Sequence, residues 1–138
     1  MECVLDQTAI SYPWTTLTNM SGETIKTVPE GICDNLFNPD SHYRQGGDMV
    51  RVGGLQYTCD LTAKMGSRIQ DMMLEGQPTD PAMTYKIAGW AAVSEEAKDA
   101  GEAVWEVVAR YLRDLETVKP VKLNLPKLKG VDNNPWRA

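Results

Sequence analysis

Along this chain the spacing of apolar and polar residues changes several times, and each change marks an element. Residues 15–20, "TTLTNM", are rich in β-branched side chains and predict a strand. Ser21 then stands where a helix N-cap belongs, ahead of "GETIKTV". Ile25, Val28, Ile32 and Leu36 recur at spacings of three and four, which is one apolar stripe of a helix. Pro29 falls inside that stripe. Its ring clashes with the carbonyl of Ile25 at a cost of about 3 kcal/mol, so a kink is expected, or a restart with Pro29 in the first turn of a second short helix. Residues 37–48, "FNPDSHYRQGGD", carry the punctuation of a loop. "MVRVGGLQYTCD" (49–60) has the β-branched, apolar character of a buried strand, and "SRIQDMMLEGQPTD" (67–80) turns at Glu75-Gly76. "TYKIAGWAAV" (84–93) predicts a further strand, apolar enough to be largely buried. The clearest helix is "EAVWEVVARYLRDLE" (102–116), in which Val104, Val107, Val108, Tyr111, Leu112 and Leu115 share one face. Beyond Lys119, three prolines forbid a long helix and leave an extended tail. The fold class expected is α+β (mixed α/β), with two main helices packed on a mostly antiparallel, mixed sheet.

Composition narrows this little. A chain of 138 residues with 42% apolar and 24% charged residues is ordinary for one globular domain, here 1–138. No apolar run reaches the length of a transmembrane helix, and the first residues do not form a secretory leader, so neither is expected within this chain. Charge is more informative because it is uneven. Residues 1–116 hold 9 basic and 18 acidic side chains, whereas 117–138 hold 5 basic and 1 acidic. An acidic body repels nucleic acid, and the basic tail is too sparse for a nucleic-acid arm. No nucleic-acid and no membrane partner is expected. Cys3, Cys33 and Cys59 lack metal-ligand spacing; Cys33 and Cys59 read as buried free thiols, although one disulfide is open to them in an oxidising compartment.

Candidate chemistry is thin. The nucleophile-elbow, phosphate-loop and zinc-helix motifs are missing. His42, the single histidine, lies near Asp48 and Ser41 on a loop with nothing to fix a triad, so no catalytic residue is assigned. One histidine cannot furnish a dinuclear metal site either, and no metal ligand is assigned in this chain. What remains is "GGDMVRVGG". Backbone N–H groups at Gly46 and Gly47, together with the guanidinium of Arg51, suit a tetrahedral oxyanion such as phosphate, sulfate or a sulfonate. Equally, Val50 and Val52 point inward and Arg51 points to water, as strand alternation requires.

Two stretches carry a resemblance. Gly53-Gly54-Leu55-Gln56-Tyr57-Thr58-Cys59-Asp60, followed by Gly76-Gln77-Pro78-Thr79-Asp80-Pro81 and by Tyr85, Ile87 and Ala88, resembles the C-terminal domain of the 5'-nucleotidase superfamily. "DNLFNPDSHYRQGGDMVRVGGLQYTCD", "YKIAGWAAVSEEA" and the segment from Val104 to Pro135 further resemble the SoxB family of thiosulfohydrolases in the bacterial sulfur-oxidising (Sox) system. That family is periplasmic and two-domained. It removes a sulfonate from a cysteine S-thiosulfonate on a carrier protein's swinging arm and releases sulfate.

The resemblance implies a substrate-side domain. A metallophosphatase-like N-terminal domain holding two manganese ions would lie outside this chain, the family's own domain would begin upstream of Met1, and the isolated chain would be inactive. It also implies two partners, the carrier's peptide arm and the N-terminal domain. A sheet edge left unpaired by the missing upstream strand could support a homodimer. Arg51, Met49, Asp48, Gly46, Gly47 and Trp90 become the candidate substrate-binding residues. Nucleotidases stack a base between two aromatic rings, and one of those positions is Met49 here. That substitution disfavours the alternative, a nucleotide-binding C-terminal domain of a 5'-nucleotidase-type phosphohydrolase, since stacking is worth about 1–3 kcal/mol per base. Pro29 and Gly31 depart from the family, whose helix there is uninterrupted.

Overall fold

The structure, a computed structural model, describes residues 3–4, 7, 13–47, 49, 52–89, 100–115, 117–120 and 124–131. In chain order the elements are β1 (Trp14–Ser21), α1 (Gly22–Phe37), a 3-10 turn (Ser41–Tyr43), β2 (Leu55–Asp60), β3 (Ile69–Leu74), β4 (Gln77–Pro78), β5 (Thr84–Gly89), β6 (Ala100–Ala103), α2 (Val104–Asp114) and β7 (Lys127–Lys129). They fall into two compact units, each drawn from two stretches of sequence: residues 1–20 with 84–121, and 21–83 with 122–138. Among the described residues, helices α1 and α2 with antiparallel and mixed sheets make the α+β class that the residue pattern predicts.

The first unit is a three-stranded sheet in the order β5-β1-β6, followed by α2. β1 and β6 are antiparallel, with Trp14 opposite Ala103 and Thr16 opposite Ala100. The Thr15 hydroxyl donates to the Glu102 carbonyl at 2.7 Å, and the Val104 N–H donates to the Pro13 carbonyl at 2.9 Å. The rings of Trp14 and Trp105 lie 6.2 Å apart, a favourable aromatic pair. Three expectations change here. Over its described residues β5 alternates exposed and half-buried positions instead of lying largely buried, as a strand with one face toward solvent does. β6, "AGEA", is a strand that pattern reading misses, since it has no β-branched residue. Of the helical residues of α2 only Ala109 is buried, and Tyr111 and Leu112 are exposed despite their apolar spacing.

The second unit carries the larger sheet, ordered β4-β3-β2-β7. β2 and β3 form an antiparallel hairpin, with Leu55 opposite Leu74 and Cys59 opposite Ile69. The expected turn at Glu75-Gly76 is present, both residues with positive φ (50° and 82°), the geometry of a tight primed turn. On its other side β2 pairs in parallel with β7, so Thr58, Cys59 and Asp60 face Lys127, Leu128 and Lys129. The basic tail, expected only to be extended, therefore supplies a strand. Cys33 from α1 closes over Leu55, Tyr57, Cys59 and Ile69, with Ile25, Met49, Val52, Leu61, Met72 and Leu128 around them.

The strand expected over 49–60 starts at Leu55. Gly54 is the reason. Its φ of 82° is left-handed backbone that glycine adopts without strain and that breaks an extended ladder. α1 runs unbroken through Pro29, so the restart expected there is not observed.

Candidate functional site

The 38–54 loop is built from the end of α1 outward. The Asn38 N–H donates to the Asp34 carbonyl at 2.9 Å and so closes the helix. Asn38 Nδ2 donates to Asp34 Oδ2 at 2.9 Å, while Asn38 Oδ1 accepts from the Asp40 N–H at 2.9 Å. Asp40 Oδ1 in turn accepts from the His42 N–H at 2.9 Å and caps the 3-10 turn. These short polar side chains bend the chain by bonding backbone two residues on, as Asn and Asp do in turns. Arg44 Nε then donates to the Asn38 carbonyl at 2.6 Å, and the Gly46 N–H donates to the Asn35 carbonyl at 3.2 Å. The loop is thereby folded back on the helix end.

Gly46 and Gly47 are exposed with φ of 78° and 112°. The Gly46 N–H, read from the sequence as open to an oxyanion, is already engaged by Asn35. Met49 is half-buried and turns its sulfur inward, 3.6 Å from Cys33 Sγ. Arg51, Asp48 and Trp90 lie outside the described residues. His42 is exposed. The structure thus places Gly46, Gly47 and Met49 on one loop, with Met49 against the Cys33 core.

Under the loop lies a sulfur cluster. Cys33 and Cys59 are free thiols, 0% and 1% exposed, with their sulfurs 2.8 Å apart. The hydrogen bond from Cys59 lowers the pKa of Cys33 even against burial. The same bond, with burial and the nearby sulfur charge, drives that of Cys59 upward. Tyr57 is pushed up to about 12, chiefly by burial and then by the two neighbouring sulfurs. Among the described residues its hydroxyl has no hydrogen-bond partner.

A second cluster went unread in the sequence. Glu30 is 4% exposed, with Oε2 accepting from the Gly66 N–H at 2.9 Å and Oε1 from the Ile69 N–H at 2.8 Å. Arg68 is 3% exposed, pairs with Asp34 Oδ1 at 2.8 Å and donates to the Ala63 carbonyl at 2.9 Å. Buried charges survive only when paired and hydrogen-bonded, and these are. The missed signal is the i, i+4 spacing of Glu30 and Asp34, which flank Cys33 on the buried side of α1. A cleft of about 470 Å³ opens beside Arg68, lined also by Asp34, Phe37, Leu61, Lys64 and Met65.

Chemically this is binding architecture. The carboxylates, amides and guanidinium just named are engaged with backbone or with one another, whereas the Tyr57 hydroxyl has no partner among the described residues. Among the described residues no three His, Cys, Asp or Glu side chains converge as metal ligands do.

The model of the family described as "5'-nucleotidase, C-terminal domain" matches residues 12–100. The chain belongs to that family. Among solved structures, this 5'-nucleotidase C-terminal domain is similar to the sulfate thiohydrolase SoxB of Thermus thermophilus in complex with glycerol. The two are 35% identical with a TM-score of 0.70, over 90% of this chain and 24% of that one. It shares its fold with a candidate 5'-nucleotidase from Staphylococcus aureus in complex with α-ketoglutarate, at 16% identity and a TM-score of 0.62, over 91% of this chain and 29% of that one. The domain thus spans about a quarter of the length of the solved proteins it matches. No curated protein matches it significantly.

Proposed function

We propose that this domain is the substrate- and carrier-recognition part of a SoxB-type thiosulfohydrolase. The observation that carries the reading is 35% identity to a SoxB over 90% of the chain. In this reading the parent protein is periplasmic and removes a sulfonate from the cysteine S-thiosulfonate of a carrier's peptide arm. Two manganese ions would be held by the parent's metallophosphatase-like domain, outside these residues. Gly46, Gly47, Asp48, Met49 and Arg51 of the 38–54 loop, and Trp90, are the residues proposed to contact substrate. Met49 supports it further: a thioether turned toward Cys33 offers no flat ring to a purine, whereas a flexible arm needs none.

Titration calorimetry on the purified chain separates this from the nucleotide-binding alternative. The expected result is heat with a carrier-derived peptide bearing a cysteine S-thiosulfonate and none with AMP or adenosine. Clear AMP binding with a silent peptide would transfer the domain to the nucleotidases. The chain alone is expected to show no thiosulfonate turnover, and measurable turnover would overturn its assignment as a recognition domain.

A further inference from the structure

We propose that Cys33 and Cys59 are a disulfide-forming pair that staples α1 to β2 beneath the 38–54 loop. Both sulfurs are buried, they come from different elements 26 residues apart, and they lie 2.8 Å from one another. Packed apolar atoms sit about 3.5–4.0 Å apart, so this approach is closer than packing alone provides. A soft metal fits less well. Thiolates bound at about 2.3 Å around a tetrahedral ion stand roughly 3.8 Å from each other, and the third sulfur nearby, Met49 Sδ, is 3.6 Å from Cys33 but belongs to a neutral thioether. The pair is free in this structure, so the staple is a modification the fold is ready to accept.

The chemistry is thiol–disulfide exchange, with a disulfide as the oxidant. Cys33 is the attacking group, because the hydrogen bond from Cys59 favours its thiolate and the thiolate is the nucleophile. It attacks one sulfur of the donor disulfide, forms a mixed disulfide and expels a thiolate. Cys59 gives its proton to solvent and displaces the second donor sulfur. Two cysteine thiols are oxidised, one donor disulfide is reduced to two thiols, and no electron is left over. Because both sulfurs are buried, exchange proceeds only when the packing over them opens to the donor. Once formed, the bond closes a circuit of chain that includes Gly46, Gly47 and Met49, and so tethers both ends of the candidate substrate loop. The inference does not depend on which hydrolase the domain serves.

The test uses the full chain with Cys3→Ser, which leaves only the pair. The protein is incubated with oxidised glutathione and then denatured in an alkylating reagent. The expected product is two hydrogens lighter than the reduced chain, carries no alkyl group and yields a joined Cys33–Cys59 peptide. Its thermal midpoint should rise by about 10 °C, the stabilisation expected from closing a loop of this length, and dithiothreitol should reverse the shift. Two alkylated thiols, or glutathione adducts that persist in place of the link, would overturn the proposal.

Discussion

Glu30 shows how much one side chain can hold. Its two oxygens take the N–H groups of Gly66 and Ile69, so one buried carboxylate ties both the β2–β3 connection and the start of β3 to α1. Glu30→Gln keeps the volume but sets an amide NH₂ against a backbone N–H. It should cost about 2–3 kcal/mol, read as a lower urea midpoint. An unchanged midpoint would mean that the connection is held some other way. Tyr57 predicts the opposite sign. Its hydroxyl is buried without a partner among the described residues, so Tyr57→Phe removes a desolvation cost and should leave the thermal midpoint unchanged or raise it. In wild type, the phenolate absorbance step that this substitution abolishes should lie near pH 12. Because burial raises this pKa, the stability tied to the neutral phenol is complete below pH 10 and is lost as pH rises through 12. Neither residue was legible beforehand. A glutamate between Pro29 and Gly31 patterns as surface, and an aromatic inside a strand does not reveal whether its hydroxyl finds water.

At the scale of elements, α1 was the most readable. Its helical spacing and its Ser21 cap follow from the residues, but the stripe of Ile25, Val28, Ile32 and Leu36 is only half-buried, and the buried face carries Pro29, Glu30 and Cys33. The cap is confirmed by the Thr24 N–H donating to Ser21 Oγ at 3.1 Å. Pro29 was the exception. Its cost of about 3 kcal/mol is offset by tertiary anchors within the next turn: Glu30, Cys33 and the Asp34–Arg68 pair. Helix α1 also depends on a contact that no pattern announces. Its first N–H groups, from Gly22 and Glu23, donate to the carbonyls of Met83 and Pro81 at 3.0 and 3.1 Å. A Cβ on Gly22 would collide with the Asp80 carbonyl. Gly22→Ala should therefore lower the melting temperature by about 10 °C, although alanine is the better helix former. The shortest strands, β4, β6 and β7, were unreadable or nearly so, because two to four residues carry too little periodicity to distinguish strand from loop. Only the 37–48 part of the candidate loop reads as loop in the sequence, since 49–54 reads as strand while the strand starts at Leu55, and what lies under the loop, two thiols and a thioether, depends on which way three side chains turn.

For the whole molecule, the acidic excess sets the pH response. Glu102 is held below its ordinary value of 4.5 by Arg110, bonded at 2.7 and 3.2 Å. Asp60 is held below 3.8 mainly by the Thr62 side chain and N–H. A depressed carboxyl pKa stabilises the fold above the unfolded value, and the contribution disappears as pH falls through the folded one. Chemical stability should be level from about pH 8 to pH 5 and decline below about pH 4. An Asp60→Asn, Glu102→Gln double variant should show a shallower acid limb. An acid limb unchanged in that variant would show that other carboxylates carry it. Fold class and family were readable because they rest on many weak signals spread over the chain. The ligand-facing details rest on a few atoms whose neighbours come from distant sequence.

The parallel pairing of β7 with β2 has a consequence for biogenesis. β2 emerges from the ribosome with one flank paired to β3 soon afterwards, but its other flank meets Lys127, Leu128 and Lys129 only once synthesis has reached residue 129. Throughout that interval a strand bearing Tyr57, Thr58 and Cys59, all buried in the finished protein, presents an open edge to whatever passes. From residue 60 to residue 129 that unpaired edge is open to non-native strand pairing.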